Sequence, residues 1–238
     1  MPSVASKIII AAGALTLGFA VSGCAQNESL LYIEAVLHAE SPDCVYKPDP
    51  SSTSLIGGTY DIGFGHSYYA GLLIGNQLAH RGQRERFRTE TARVTLEGVE
   101  VRLLDSHESE ISFFTSPGAG FVDVGSGEES GYGVVGASII PSPSLVQSQQ
   151  GRFVIAELRA FGHTLGGSDV ESDVFRFPID VCRGCLVSFS QDLINPATGE
   201  CNSSSTDQPE LPCQVGQDDV LPCTACVASY PEICLSPP

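Results

Sequence analysis

The sequence has little positive charge. Its 238 residues include 12 Lys and Arg against 28 Asp and Glu, which gives a net charge of −16. Because a negative surface repels phosphate groups, we expect no nucleic-acid partner. The same charge repels anionic lipid headgroups, so a basic face does not hold this protein on a membrane. The simplest interpretation of the acidity is solubility.

Common catalytic motifs are also missing. No GxSxG or HExxH motif occurs. The five His residues have no metal-binding spacing; they are His38, His66, His80, His107 and His163. The stretch Gly131–Gly136 matches GxGxxG, but Pro141 and Pro143 follow too soon for the helix that a dinucleotide loop must open, so we interpret it as a glycine-rich strand. We predict a non-catalytic protein without a cofactor or metal; the alternative is an exported hydrolase whose site is assembled from distant residues.

The apolar run near the N-terminus is too short for a transmembrane helix. It extends over 14 residues from Ile8 to Val21, whereas a bilayer-spanning helix needs about 20. Lys7 precedes the run and small residues close it, an arrangement typical of a signal peptide. The run ends in Val21-Ser22-Gly23-Cys24, which is an aliphatic residue, two small residues and a Cys.

This ending resembles the lipobox of bacterial lipoproteins, and the resemblance covers residues 1–24 only. In that family the Cys sulfur receives a diacylglycerol, the peptide is cut just before the Cys, and the new amine is acylated. The resemblance therefore implies a lipidated Cys24 and loss of residues 1–23. Three acyl chains hold effectively permanently, since each buried methylene contributes about 0.8 kcal/mol. Ordinary signal cleavage after Ala25, with simple secretion, is the alternative.

The predicted mature chain has 215 residues and starts close to the membrane. Residues 24–29 form the lipidated Cys and a short tether, because a strand pattern begins near Leu30. Loss of Lys7 with residues 1–23 brings the net charge to −17. In enteric-type sorting, Ala25 after the Cys favours the outer membrane over the inner one. We predict a lipid-anchored protein of the bacterial cell envelope.

Eight Cys remain after Cys24. They are Cys44, Cys182, Cys185, Cys201, Cys213, Cys223, Cys226 and Cys234. An even number in an oxidising compartment predicts four disulfides, with 105 possible pairings. Since seven of the eight follow residue 181, full pairing requires one bridge from the C-terminal cluster to Cys44.

Two CxxC pairs keep other interpretations open. Cys182 with Cys185, and Cys223 with Cys226, have the spacing of zinc ligands, although 37 residues separate the pairs. A redox pair is a further possibility, but it favours a helix after the first Cys, and the residues after Cys185 have an extended pattern. Structural disulfides are the preferred interpretation, and a metal-binding or redox protein is an alternative function.

Residues 30–185 have the pattern of an all-β domain. Apolar residues alternate with period two in short segments between Gly, Pro, Ser and Asp clusters, and no long amphipathic helix is evident. The segments are Leu31 to Leu37, Tyr60 to Phe64, Leu72 to Leu78, Val94 to Leu96, Val99 to Leu103, and Phe153 to Ile155. We predict an antiparallel Ig-like or fibronectin-like sandwich. Residues 186–238 form a Cys-rich irregular appendage that is stapled by disulfides.

Two details refine the strand prediction. The apolar residues have even numbers at Val94 and Leu96 but odd numbers from Val99 onward, so Glu97-Gly98 must hold a bulge or a turn. The residues from His80 to Gln83 have the pattern of a hairpin tip that joins strands near 68–79 and 84–96.

Five of the ten Arg residues lie between positions 81 and 93. They are Arg81, Arg84, Arg86, Arg88 and Arg93, here called the arginine comb. Guanidinium groups bind carboxylates or phosphates bidentately, so the comb is a possible binding surface. The alternative is a charged edge that prevents aggregation.

A second charged pattern follows Gly166-Gly167. Asp169, Glu171 and Asp173 alternate along an extended segment, and they could share Ca²⁺ or form a solvated loop. Taken together, the sequence predicts a membrane-anchored, non-catalytic module that binds or scaffolds another envelope protein or polymer.

Overall fold

The computed structural model describes residues 30–78, 91–125, 130–202 and 211–237. The predicted signal peptide, Cys24 and four members of the arginine comb, Arg81, Arg84, Arg86 and Arg88, lie outside these ranges. The strands are β1 (Leu31–Leu37), β2 (Ser54–Leu55), β3 (Gly58–Asp61), β4 (Tyr68–Asn76), β5 (Val94–Leu104), β6 (Glu110–Val122), β7 (Gly131–Ile140), β8 (Arg152–Thr164), β9 (Asp169–Glu171), β10 (Phe175–Cys182), β11 (Val187–Ser188) and β12 (Leu221–Pro222).

The helices are short. Two single-turn α-helices, α1 (Cys223–Cys226) and α2 (Pro231–Cys234), lie near the C-terminus. Short 3-10 helices occur at Ile62–Phe64, Pro143–Leu145, Gln147–Gln149 and Gln191–Leu193. In the part of the chain that the structure describes, no helix has the length and apolar character to cross a membrane.

Two sheets make up most of the fold. One has the order β2-β1-β4-β7, and the other has the order β3-β10-β8-β5-β6, with β9 paired to β8. The prediction of a mostly β fold with antiparallel sheets is confirmed. Two pairs depart from it, since β3 runs parallel to β10 and β11 runs parallel to β12.

The sheets curl into a half-barrel because they approach each other at two places. Strands β6 and β7 run side by side, and the Oγ of Ser116 accepts a hydrogen bond of 2.9 Å from the backbone N–H of Ser138. Small residues permit this approach, since a Cβ on Gly118 would lie 2.7 Å from a carbonyl oxygen of β7. On the other side, Leu31 of β1 forms a bridge with Ser172, directly after β9.

One apolar core lies between the two sheets. It contains side chains from β1, β4 and β7 on one side and from β5, β8 and β10 on the other. In β5 the buried residues change from even to odd numbers between Leu96 and Val99, and the register shifts between Leu96 and Gly98 in both neighbouring strand pairs. The predicted irregularity at Glu97-Gly98 is therefore confirmed as a bulge.

Three details of the strand prediction are wrong. The chain leaves β3 at Asp61 and forms a 3-10 turn at Ile62–Phe64, because the Asp61 side chain caps the N–H of Gly63. In β8 the buried residues have even numbers, so Phe153 points outward and is 42% exposed. The sequence pattern placed the odd-numbered Phe153 on the core face of the strand, but its ring lies on the outer face.

The third error concerns the hairpin. Strand β4 pairs with β1 and β7, whereas β5 pairs with β6 and β8, so Tyr68–Asn76 and Val94–Leu96, which are the strand residues described in the two proposed segments, belong to different sheets. The proposed tip from His80 to Gln83 lies outside the described residues. Local turn chemistry predicts a reversal of the chain there, but burial of the two sheets against each other selects the partners.

The C-terminal region is disulfide-rich, as predicted. The pairs are Cys44–Cys213, Cys182–Cys185, Cys201–Cys223 and Cys226–Cys234. Cys44–Cys213 is the predicted bridge from the C-terminal cluster to the start of the chain. A second, small core forms beside these bridges around Phe64, Val187 and Leu221, and four of its nine buried members are half-cystines. The predicted domain boundary near residue 185 stays a prediction.

We expect the four bridges to contribute unequally to stability. Loop-closure entropy predicts that loss of Cys44–Cys213, which are 169 residues apart, costs about 5 kcal/mol of unfolding free energy, whereas loss of Cys182–Cys185, three residues apart, costs about 1.6 kcal/mol. Urea unfolding of the double variants Cys44→Ser/Cys213→Ser and Cys182→Ser/Cys185→Ser measures the difference. Equal losses in the two variants would contradict this expectation.

Candidate functional site

One concave feature of the described residues is an acidic groove of about 620 Å³, within the size range of ligand-binding clefts. It lies where the start of β1 approaches β8 and β9. Its charged lining consists of Glu97, Asp169, Glu171, Asp173 and Arg159. Its apolar lining consists of Leu30, Leu31, Leu78, Phe161 and Val170.

The alternation of β9 places its carboxylates at the groove. Asp169 and Glu171 are exposed on either side of the half-buried Val170, because successive strand residues face opposite ways. Ser172 follows the strand as a buried residue. Its Oγ accepts a bond of 2.9 Å from the N–H of Ala160 and donates one of 2.8 Å to the carbonyl of Asp173, so the acidic segment is fixed to β8.

The groove has an excess of negative charge. Nη1 of Arg159 lies 3.7 Å from Glu171, and Nδ1 of His163 lies 3.1 Å from Glu97. Four carboxylates thus face one guanidinium group and one imidazole at the rim. The arrangement suits a ligand that combines positive charge with an apolar body.

The carboxylates of the groove do not converge as a metal site. Among the described residues, one trio of potential ligands has its donor atoms all within 4.8 Å of one another, and it consists of Asp61, Cys182 and Cys185. Asp169, Glu171 and Asp173 do not form such a trio, so the geometry favours a solvated segment over a shared Ca²⁺. The zinc interpretation of paired CxxC motifs is wrong, since Cys223 and Cys226 are bonded to Cys201 and Cys234.

The one described member of the arginine comb is engaged within the protein. Nε of Arg93 lies 2.5 Å from the carboxylate of Asp123, and its guanidinium lies 5.7 Å from the centre of the Phe121 ring. Arg93 therefore supports the outer face of the sheet rather than the acidic groove. The comb as a contact surface stays a prediction, because its other members lie outside the described residues.

A partly buried polar seam holds the C-terminal region against the sheets. The Asp218 carboxylate accepts hydrogen bonds from the N–H of Thr59 at 2.9 Å and from the hydroxyl of Tyr68 at 3.0 Å. Next to it, Gln217 bonds to both backbone groups of Tyr69. Burial raises the pKa of Asp218, and burial followed by the Asp218 charge raises the pKa of Tyr68 well above its usual value.

Two further contacts extend this seam. Nε2 of His38 lies 3.0 Å from the Asp219 carboxylate, and Nε2 of Gln214 donates to the hydroxyl of Tyr46 at 2.9 Å. Burial is the main reason why the pKa of Tyr46 rises to about 12. Sequence reasoning missed this cluster, because its members are up to 181 residues apart and follow no local pattern.

Asp61 forms a second polar centre, beneath the Cys182–Cys185 loop. Its side chain is fully buried. Oδ1 accepts hydrogen bonds of 2.9 Å from the N–H groups of Gly63 and Gly184, and Oδ2 accepts one of 3.1 Å from Leu186. Two of these three donors belong to the Cys loop and its exit, so Asp61 sets the position of the loop relative to β3.

The seam predicts a specific pH dependence of stability. Since burial raises the folded-state pKa of Asp218 above its ordinary value of 3.8, the folded protein binds this proton more tightly than the unfolded chain. The resulting stabilisation is present below about pH 4 and is lost as the pH rises through the folded-state pKa. The unfolding free energy of wild type relative to Asp218→Asn should therefore fall across this window.

Urea unfolding over a pH series measures this difference. Asp180→Asn is the matched control, because Asp180 is exposed on β10, and its difference from wild type should not vary in the same way. If the difference in unfolding free energy between wild type and Asp218→Asn stayed constant with pH, the raised pKa of Asp218 would be contradicted.

Comparison with known proteins identifies no relative. No family model matches this chain, and neither a curated protein nor a solved structure matches it. The functional argument therefore depends on the chemistry of the chain itself, and the acidic groove is the feature that best fits a ligand.

Proposed function

We propose that this protein is a lipoprotein of the bacterial cell envelope, anchored through Cys24, that binds a positively charged ligand in its acidic groove. The groove, with four carboxylates around an apolar lining, is the observation that carries the proposal. The protein is non-catalytic, and its scaffold is an Ig-like or fibronectin-like sandwich with a stapled C-terminal appendage. Its ligand is a segment of another envelope protein or polymer.

The position of the groove supports this role. Leu30, the first described residue, lines the groove, and only residues 25–29 separate it from Cys24. Five residues span at most about 17 Å, so an anchor at Cys24 would keep the groove near the bilayer surface. Four disulfides also fit an oxidising, extracytoplasmic compartment.

The anchor makes a direct prediction. When the full-length gene product is expressed in a bacterium, the purified protein should begin at Cys24, and its mass should exceed that of residues 24–238 by a diacylglycerol and an acyl chain. Cys24→Ser should lose the lipid and leave the membrane fraction, since no acyl chain then inserts. Mass spectrometry of the N-terminal peptide measures whether Cys24 is the first residue and carries the lipid. An unmodified Met1 would exclude the anchor.

Ligand binding is tested with a model peptide of alternating Lys and Val, and a Glu and Val peptide serves as its counterpart. We expect the Lys peptide to bind, the Glu peptide to fail, and binding to weaken with salt because exposed charges are screened. Asp169→Lys/Asp173→Lys should weaken binding by at least about tenfold, since two attractive charges become repulsive. Isothermal titration calorimetry measures the affinities.

The matched control variant has the same net charge as the groove variant. Asp180→Lys/Asp192→Lys makes an equal change in net charge at exposed positions that do not line the groove. It should bind the Lys peptide nearly as wild type does. If the control weakened binding as much as the groove variant, the attraction would come from the net charge of −16 and the groove proposal would fail.

A further inference from the structure

The four disulfides differ in the exposure of their Cys residues. Cys201, Cys223, Cys226 and Cys234 are all buried, as members of the small second core. Cys185 is exposed and Cys182 is partly exposed, and Cys44 is also exposed. Because thiol–disulfide exchange begins with attack on a sulfur atom, only Cys182–Cys185 and Cys44–Cys213 are open to an outside thiol in the folded protein.

The two reachable bridges differ in what their loss does to the chain. Cys44–Cys213 closes a segment of 169 residues and joins the start of the chain to the C-terminal region. Cys182–Cys185 encloses only two residues. A bridge over so short a loop restricts the unfolded chain least, so it is the poorest of the four as a structural staple.

The Cys182–Cys185 loop keeps its shape by other means. The Asp61 carboxylate binds the N–H groups of Gly184 and Leu186, and neither bond involves sulfur. Gly184 has a φ of 77°, which glycine adopts without strain, so the turn between the two Cys does not depend on the bridge. We therefore expect the loop to keep its conformation when the disulfide is reduced, so that the same bond can form again.

We propose that Cys182–Cys185 is a reversible redox pair that exchanges electrons with the dithiol of another extracytoplasmic protein, whereas the other three bridges are permanent. Asp61 is the positioning residue of this pair. The exchange site is separate from the acidic groove, because the groove is lined from β1, β5, β8 and β9 and the loop follows β10.

The exchange has two steps. A thiolate of the partner attacks Sγ of the exposed Cys185, the bond to Cys182 breaks, and Cys182 leaves with the electron pair and takes up a proton. The second thiol of the partner then loses its proton and attacks the partner's sulfur in the mixed disulfide, which releases Cys185 to take up that proton. Two electrons and two protons have moved from the partner dithiol to Cys182 and Cys185, and the partner has become a disulfide.

The test uses the full-length protein in detergent and glutathione as the probe. The protein is equilibrated in buffers with different ratios of reduced to oxidised glutathione, free thiols are alkylated, and peptides are mapped by mass spectrometry. We expect Cys182 and Cys185 to become alkylated and to reoxidise as the ratio is reversed, while the other six Cys stay paired and the near-ultraviolet circular dichroism is unchanged. Labelling of Cys44 and Cys213 at the same ratio, or no labelling of Cys182 and Cys185 before unfolding, would overturn the proposal.

Two single variants test the order of attack. Cys182→Ser leaves the exposed Cys185, and Cys185→Ser leaves the less exposed Cys182. With oxidised glutathione, Cys182→Ser should form the glutathione adduct about tenfold faster than Cys185→Ser, because access controls the rate. Equal rates, or a faster reaction at Cys182, would overturn the assignment of Cys185 as the reacting sulfur.

Discussion

The short strand β3 is the constraint on which the arrangement of the two regions depends. It pairs in parallel with β10 on one side, and on the other side Thr59 and Asp61 exchange backbone hydrogen bonds with Asp218 and Gly216. Its residues also contact two carboxylates, since Thr59 donates to the partly buried Asp218 and Asp61 is itself the second, which is fully buried. Removal of a carboxylate from water destabilises the fold unless hydrogen-bond donors surround it. Each of these two carboxylates therefore favours the position of the C-terminal region that supplies its hydrogen bonds.

The C-terminal region needs these links because its own core is small. Its apolar cluster takes Phe64 from the residues directly after β3 and contains four half-cystines. So few apolar side chains bury little surface, and covalent bridges replace the missing hydrophobic stabilisation. The Cys182–Cys185 bridge differs from the others, because it adds little constraint to the unfolded chain and Asp61 already holds its loop in place.

The half-barrel positions the groove by the way its two sheets meet. Strand β9 is too short to extend the sheet, and Ser172 ties its end to β8 and to β1. The carboxylates of β9 therefore lie beside the entry of the chain from the N-terminal segment, at Leu30. If Cys24 is the membrane anchor, the carboxylates of the groove lie near the bilayer surface, where a membrane-proximal ligand would arrive.

Much of this protein follows from local sequence. The presence of four disulfides, the mostly β fold and the bulge at Glu97-Gly98 are readable because each depends on composition, parity or neighbouring residues. The export signal at the N-terminus is read in the same way and stays a prediction. The acidic alternation of Asp169, Glu171 and Asp173 is visible for the same reason, and the structure brings these residues to the groove without the convergence of a metal site.

Only the tertiary structure decided which strands pair, which Cys are bonded and what surrounds each carboxylate. The partners of Asp61 and Asp218 are more than 120 residues away in several cases, and the two strands next to the arginine comb belong to different sheets. Sequence periodicity specifies which face of a strand is apolar, but it does not specify the neighbour. The neighbour is chosen by burial of the shared core and by satisfaction of buried polar groups, which act across the whole chain.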